Sequence, residues 1–293
     1  MVSKGLKIKI GHKDAIRLNF SKFGVYLIMV PLAFVMILPL IYVIGSAFKP
    51  ISELVKFPPV FFVRKPTLNN FSDLFLALDA SSVPFLRYLF NSLLVTITSV
   101  VGAVVVDTLG GYALSKMKIP FKSFFFNLII VAMAFPSAVS AVPNYSIIKW
   151  LGIYDTYFAL IVPLIAGAFG CFLIKQFCDQ LPVALLEAAR IDGATELQIY
   201  LKIVMPFLRP AWATLSVFCF TSVWGSAGSS ILYTRTETLR TLPTMLATIS
   251  ESGNLARAGA SAAASLIMIL PSIIIFIIQQ RKMIDTMAHS GIK

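Results

Sequence analysis

Hydrophobic and polar positions in this chain are arranged in long uncharged runs separated by short charged ones. Gly24–Phe48, Ser123–Ile148, Pro210–Thr234 and Ala258–Gln280 contain no Asp, Glu, Lys or Arg. Thr156–Ile174 is likewise uncharged, and Tyr88–Ser115 is interrupted only by Asp107. About 20 apolar residues, rising 1.5 Å each, cross the hydrocarbon of a bilayer. The pattern therefore predicts an all-α membrane protein with six transmembrane helices. The first run follows basic residues, as a secretory signal does. It is far longer than the ~7–15 apolar residues of a signal core, however, and no small-residue cleavage pattern follows it. It is expected to stay in the membrane.

These spans divide the chain into a basic N-terminal segment, 1–23, a six-helix body, 24–281, and a C-terminal tail, 282–293. Loops 49–84 and 235–257 fall on one side and loop 175–209 on the other, together with both termini. Sixteen of the 25 Lys and Arg residues lie on the terminal side and nine on the opposite side. The excess of positive charge marks the cytoplasmic face. Both termini are thus expected in the cytoplasm, with the protein multi-pass in a plasma membrane.

Composition agrees with a lipid environment. Of 293 residues, 58% are hydrophobic and 13% charged, and mean hydropathy is +0.85. Soluble domains carry about 25% charged residues, so this chain could not cover a water-exposed surface. The net charge of +12 is scattered over loops and does not suggest a nucleic-acid partner. Cys171, Cys178 and Cys219 lack metal-ligand spacing, and small sulfur side chains in apolar runs are ordinarily packing. The two histidines, His12 and His289, lie near the termini. No paired carboxylates, nucleophile motif or Gly-x-x-x-x-Gly-Lys-Ser/Thr phosphate loop is present. The chain is expected to be no enzyme, to bind no metal or cofactor, and to leave any nucleotide chemistry to a partner.

The strongest local signal is in the cytoplasmic loop, LPVALLEAARIDGATELQIYLKIVMPFLRP. Pro182 suits a helix first turn. Leu185, Leu186, Ala188 and Ala189 follow, and Gly193 supplies the left-handed residue that ends a helix. Thr195 is placed to cap a second helix carrying Leu197, Tyr200, Leu201 and Val204, before Pro206 and Pro210. A pair of this kind could lie on the bilayer as an interfacial element. It could also be a docking knob, with alanines for close approach and Glu187 and Asp192 as charges for a cytoplasmic partner.

Glu187-Ala188-Ala189, Asp192-Gly193-Ala194, Tyr200, Ile203, Met205-Pro206 and Pro210 together resemble the EAA loop of ABC importer permeases. Tyr200 and Met205 stand where that family usually has Phe or Trp and Leu. The resemblance implies the type I ABC importer, MetI-like permease fold with cytoplasmic EAA coupling helices. Glu187, Ala188, Ala189, Asp192, Gly193 and Ala194 would form the coupling helix that sits in a cleft of an ATPase subunit. Gly111–Lys116, Pro136, Pro143, Tyr145, Leu151-Gly152, Asp155–Tyr157, Thr241–Pro243, Gln280-Arg281 and Ser290-Gly291 extend the likeness to carbohydrate-importer permeases of the MalG type.

That family implies the partners: a second, MalF-type permease, two ABC ATPases using ATP and Mg, an extracytoplasmic solute-binding protein, and a sugar, in a bacterial cytoplasmic membrane. Where relatives often have Trp-Asn, Trp224 is followed here by Gly225-Ser226, and Asp107 occupies a position that is usually apolar. The same architecture carrying a phosphonate or amino acid is one alternative. A secondary transporter or a membrane enzyme built on Asp107 are others, with thin support from a single intramembrane carboxylate.

Asn144, Tyr145, Ser222, Trp224 and Ser226, with Ser229 and Ser230 beside them, are the polar and aromatic groups available to line a translocation path. Ser and Gly serve close helix packing equally well. Ser252, Gly253 and Asn254 form a turn cluster that, in the resembled family, reaches toward the binding protein. Pro136 and Pro143 are expected to kink the third span. Asp107 either carries function, as intramembrane carboxylates often do, or reaches water or a helix-end donor near the cytoplasmic side; the second reading is favoured.

Overall fold

The computed structural model describes residues 20–79, 83–251 and 257–290. The expected basic segment through residue 19 and the turn Ser252, Gly253 and Asn254 lie outside them. No strand occurs among the described residues. In chain order the helices are α1 (Phe20–Ala47), α2 (Ile51–Leu54), α3 (Asn69–Asp79), α4 (Phe85–Lys116), α5 (Lys122–Met133), α6 (Ser137–Trp150), α7 (Tyr157–Ile165) and α8 (Ala168–Asp179). They continue as α9 (Val183–Ile191), α10 (Glu196–Ile199), a π turn (Tyr200–Val204), α11 (Met205–Phe207), α12 (Arg209–Trp224), α13 (Gly228–Tyr233), a 3-10 turn (Glu237–Leu239), α14 (Leu242–Glu251) and α15 (Ala258–Ser290).

Among the described residues, four helical segments are long and apolar enough to cross a membrane: Gly24–Ala47, Phe85–Lys116, Tyr157–Asp179 and Ala258–Gln280. The expected third and fifth spans are not single helices. The third divides into α5 and α6 at Ala134–Pro136, where Pro136 is extended at φ −62°, ψ 140°. Proline cannot donate to the helix ladder and forces the preceding residue out of the helical region. Pro143 lies inside α6. The fifth ends at Trp224 and resumes as α13 after Gly225–Ala227. Hydropathy could not reveal these breaks, because the residues within them are apolar or small. Irregular backbone at membrane depth is tolerated where protein encloses it.

The body is organised around α4, which buries residues along its whole length from Tyr88 to Leu114. Close approach is set by Gly111, where a Cβ would lie 2.6 Å from Ile174 Cγ2 and 2.8 Å from the Lys175 backbone nitrogen. Small residues at such contacts let backbones pack tightly where no hydrophobic drive exists between helices. One apolar cluster joins Tyr112, Ile174, Leu186, Ile199, Leu208 and Leu215. A second joins Leu74, Tyr88, Leu242, Leu246 and Ala263, so loop 235–257 contributes a packed helix, α14. By contrast, the side chains of α1 from Val25 to Ile37 are exposed, as suits a helix facing lipid.

Candidate functional site

Both helix ends of the 175–209 loop are built as the residues require. After α9, the Ala194 N–H donates to Ala189 O at 2.9 Å and the Gly193 N–H to Arg190 O at 3.1 Å. This is the Schellman pairing, which needs a left-handed residue between the two bonds; Gly193 provides it at φ +80°. Thr195 then caps α10: its Oγ1 accepts from the Gln198 N–H at 3.3 Å, while Gln198 Oε1 accepts from the Thr195 N–H at 2.9 Å. The reciprocal pair is a capping box. After α11 the chain turns by 76° into α12, between Pro206 and Pro210. The loop thus lies across the direction of the span that follows.

The inner face of this helix pair is anchored. Leu186, Ile199 and Val204 are at most 1% exposed and pack on Ile174, Phe177 and Leu215. Tyr200 and Thr108 share a hydroxyl hydrogen bond of 2.7 Å, and the Tyr112 hydroxyl donates to Glu196 Oε2 at 3.1 Å. Arg190 Nε lies 2.9 Å from Glu196 Oε1. That guanidinium hydrogen bond, outweighing a small effect of burial, holds Glu196 below the usual carboxylate range. Both partners are exposed and water screens them, so the pair fixes geometry more than stability. Sequence reasoning missed Thr108, Tyr112, Arg190 and Glu196. The signal was the placement of Thr108 and Tyr112 four residues apart on one face of the second span, with no indication of which loop they would meet.

The outer face is open. Glu187, Ala188, Asp192 and Gly193 are exposed and Ala189 and Ala194 partly so. Ile191 is 86% exposed at the tip. The six residues expected to form the coupling helix are therefore brought together around one turn.

The expected path residues are more dispersed. Trp224 and Ser226 border one small cavity of about 20 Å³ with Ser92, Thr96, Ser229 and Ser230. Trp224 is 2% exposed, and its indole N–H donates to Met268 O at 3.0 Å. It forms wall, with its donor already engaged. Ser222 is exposed on α12, and Ser226 Oγ lies 3.4 Å from Ser229 Oγ. Asn144 is half-buried, and Tyr145 packs edge-on against Tyr154 with Lys149 Nζ 4.7 Å from its ring centre. Beside Trp224, an open cleft of about 350 Å³ runs between Gly225, Ala227, Leu246, Ala264, Ser265 and Met268.

The opposite end of the bundle is tied by side chains. Asp155 accepts from the backbone N–H groups of Arg235 and Thr236 at 2.8 and 2.9 Å and from the Thr236 hydroxyl at 2.5 Å. Asn91 donates to Thr238 O and Arg240 O, both at 2.8 Å. No cluster of three or more His, Cys, Asp or Glu able to hold a metal occurs among the described residues.

Comparison with known proteins agrees with this architecture. Residues 108–281 match the family described as binding-protein-dependent transport system inner membrane component. The chain is similar to the arabinooligosaccharides transport system permease protein of Halalkalibacterium halodurans, with 29% identity over 89% of this chain and 93% of that one. It is also similar to the sn-glycerol-3-phosphate transport system permease protein of Yersinia enterocolitica, at 33% identity over 69% and 72% of the two chains. Among solved structures, a bacterial ABC transporter involved in import of the acidic polysaccharide alginate has a chain that superposes with a TM-score of 0.74. That match has 23% identity and covers 90% of this chain and 98% of the other; it shows a shared fold.

Proposed function

The chain belongs to the family of binding-protein-dependent transport system inner membrane components, and on that premise we propose that it is one of two membrane-spanning subunits of an ATP-driven importer of sugars or oligosaccharides. One observation carries the proposal. The 175–209 loop is a rigid, doubly capped helix pair, rooted in the core through Leu186, Ile199 and Tyr200, and it exposes Glu187, Ala188, Asp192, Gly193 and Ile191. An interfacial helix would bury its apolar side in lipid. Here Leu186, Ile199 and Val204 pack on the protein instead, and the exposed face combines Glu187, Asp192 and the small residues Ala188 and Gly193 with the apolar Leu185, Ile191, Leu197 and Leu201. Such a surface suits insertion into a protein cleft.

In this reading ATP and Mg are handled by two separate ATPase subunits, and the chain itself makes and breaks no bonds. Closure of the ATPases moves the coupling loop and, through it, α4 and α8. A MalF-type permease completes the path, and an extracytoplasmic solute-binding protein delivers solute. Both termini lie in the cytoplasm and the body crosses the membrane six times. The cleft beside Gly225 and Met268 is within the range of small-molecule sites, about 300–1,000 Å³, and is the best candidate for this subunit's half of the path. Of the residues expected on the path, Trp224 and Ser226 border the smaller cavity rather than this cleft, and Asn144, Tyr145 and Ser222 line neither. The carbohydrate class is supported by the relative that serves arabinooligosaccharides and by the alginate importer's fold.

The test is co-purification of ATPase subunits with the wild type and with Glu187→Ala/Gly193→Pro, followed by solute-stimulated ATP hydrolysis in liposomes. The wild type should retain the ATPase and the variant should lose it or uncouple it. An ATPase that associates with neither form would remove the coupling assignment.

A further inference from the structure

Phe57 and Phe62, in the loop that follows α1, have no part in the mechanism above, yet they are 91% and 72% exposed. The backbone beneath them is tied down. The Glu53 carboxylate accepts from the Arg64 and Lys65 backbone N–H groups at 3.1 and 3.2 Å, which closes residues 53–65 into a ring. The Thr67 N–H donates to Phe48 O at 2.8 Å, and Asn70 Nδ2 donates to Ala47 O and Lys49 O at 2.9 and 2.8 Å. Lys49 is buried; its ammonium donates to Val60 O and lies 4.6 Å from the Tyr42 ring centre. These bonds engage the inward side of the loop and leave Val55, Phe57 and Phe62 exposed. Large apolar side chains held out in this way mark a contact surface.

Ring contacts and charge identify what covers them. The ring centres of Tyr42 and Phe61 are 5.8 Å apart, and those of Phe61 and Phe62 5.2 Å, edge to face. An aromatic row thus runs from the lipid-facing helix into the loop. Tyr42 stands about 27 Å along α1 from Gly24, where the apolar span begins, and the hydrocarbon is ~30 Å thick. Aromatic side chains concentrate at that boundary. Residues 49–66 also hold Lys49, Lys56, Arg64 and Lys65 against the single carboxylate of Glu53. Lys56, Arg64 and Lys65 are exposed, and among the described residues the ion pairs, Lys175–Asp179 and Arg190–Glu196, lie at the other end of the bundle. The positive-inside bias gives no reason for cations here. Lipid phosphates do, because Lys and Arg lay their stems along apolar surface while their heads reach polar groups.

We propose that residues 55–65 form a foot on the outer leaflet: Phe57 and Phe62 sit at the boundary of headgroups and acyl chains, Lys56, Arg64 and Lys65 meet lipid phosphates, and the outer end of α1 is held at a fixed depth. The inference takes only the side of the membrane from the permease reading. Nitroxide labels are placed at Phe57→Cys, at Phe62→Cys and, as a hydrocarbon standard, at Val30→Cys on α1, in a cysteine-free background of the full complex. The complex is reconstituted in vesicles of phosphatidylethanolamine and phosphatidylglycerol. Collisions with oxygen, which partitions into lipid, are compared with collisions with a water-soluble nickel chelate. Oxygen collisions should exceed nickel collisions at 57 and 62, as at 30. The label is itself apolar, so 62 is read again with Phe57→Ser, which should shift the balance towards nickel. Lys56→Gln/Arg64→Gln/Lys65→Gln should shift 57 the same way.

An excess of nickel collisions at 57 and 62 overturns the proposal, because the loop then stands in water. So does an immobilised label that neither reagent reaches, which means cover by the second permease, and so does protection that appears only when the solute-binding protein is added. An unshifted balance with Phe57→Ser would make the label rather than the loop the cause, and an unshifted balance with the triple glutamine variant would remove the phosphate contact; either result overturns it as well. ATPase bound to the same samples is measured in parallel. Oxygen-accessible labels on a chain that binds no ATPase would remove the permease reading and keep the foot. Nickel-accessible labels on a chain that binds ATPase would do the reverse.

Discussion

Gly193 offers a measurement in which backbone strain can be isolated from side-chain contact. The residue stands at φ +80°, and no atom lies within 4 Å of where its Cβ would be. Alanine there meets nothing, but holding an L-residue in the left-handed region costs about 1–2 kcal/mol. Asparagine visits that region routinely and should cost less. Proline is locked near φ −65° and cannot adopt the turn at all. It also removes the N–H that donates to Arg190 O, a net loss of about 0.5–1.5 kcal/mol. The strain cannot be relieved by sliding the helix pair, because Leu186 and Ile199 are anchored on either side with 1% and 0% exposure. If docking demands the native turn, 1–2 kcal/mol appears as roughly a 5- to 30-fold loss of ATPase affinity for Gly193→Ala. Titrating purified ATPase onto nanodisc-embedded permease should rank wild type and Asn above Ala, and Ala above Pro. Equal weakening by Asn and Ala would mean that bulk in the ATPase cleft matters rather than backbone conformation. Undiminished docking by the proline variant would refute the reasoning outright.

Three further outcomes follow from the same geometry. Leu186→Ala empties a fully buried site and should destabilise the fold by about 2–5 kcal/mol, whereas the exposed Glu187→Ala should leave the melting temperature in detergent unchanged and reduce ATPase binding. Trp224→Phe removes the indole bond to Met268 O, so it should lower stability by about 0.5–1.5 kcal/mol without altering which solute stimulates hydrolysis; a changed solute preference at unchanged stability would place the indole in the path. Burial pushes the Asp155 carboxyl up, but the hydrogen bonds from Thr236 and Arg235 prevail and hold it below its ordinary range. Its contribution is therefore present above the ordinary carboxylate pKa and lost as pH falls through the lowered one, so protection of the 235–240 amides, after correction for the intrinsic pH dependence of exchange, should fall under acid in the wild type and be low at every pH in Asp155→Ala.

Much of the fold was legible because lipid imposes a coarse rule. An uncharged run longer than the hydrocarbon thickness announces itself, and α1, α4 and the apolar part of α15 fall where their runs predict. The turn between α9 and α10 was legible for a different reason: Gly193 and Thr195 act through local backbone chemistry that needs no distant partner. What escaped notice depended on contacts between remote segments. The kink at Pro136 was expected from the proline itself, whereas the break at Gly225–Ala227 leaves mean hydropathy untouched. The burial of Trp224 follows from a carbonyl 44 residues away, and loop 235–257 reads as polar turn chemistry although α14 is drawn into the core by Leu242 and Leu246. The surroundings of Asp107 were not legible, because its carboxyl lies against Gly170 of α8, a segment remote from it in sequence.

The polar side chains inside this apolar body chiefly join helices, and their distribution divides the molecule. At the end near the 235–257 loop, Asn91 holds Thr238 and Arg240, Ser92 Oγ accepts from the Leu242 N–H at 2.7 Å, and Asp155 holds Arg235 and Thr236. At the opposite end, Thr108 and Tyr112 bind the 175–209 loop and Ser115 binds α8. Both groups use α4, which carries no proline and has no interruption between Phe85 and Lys116. A helix tied at both ends transmits rotation better than it bends. The uncapped or proline-marked breaks in the third, fourth and fifth spans are therefore where relative motion is least costly. Force applied at Glu187 and Asp192 would reach the far end of the bundle as a rocking of α4 with everything fastened to it, a rigid-body switch of the kind packed helices support.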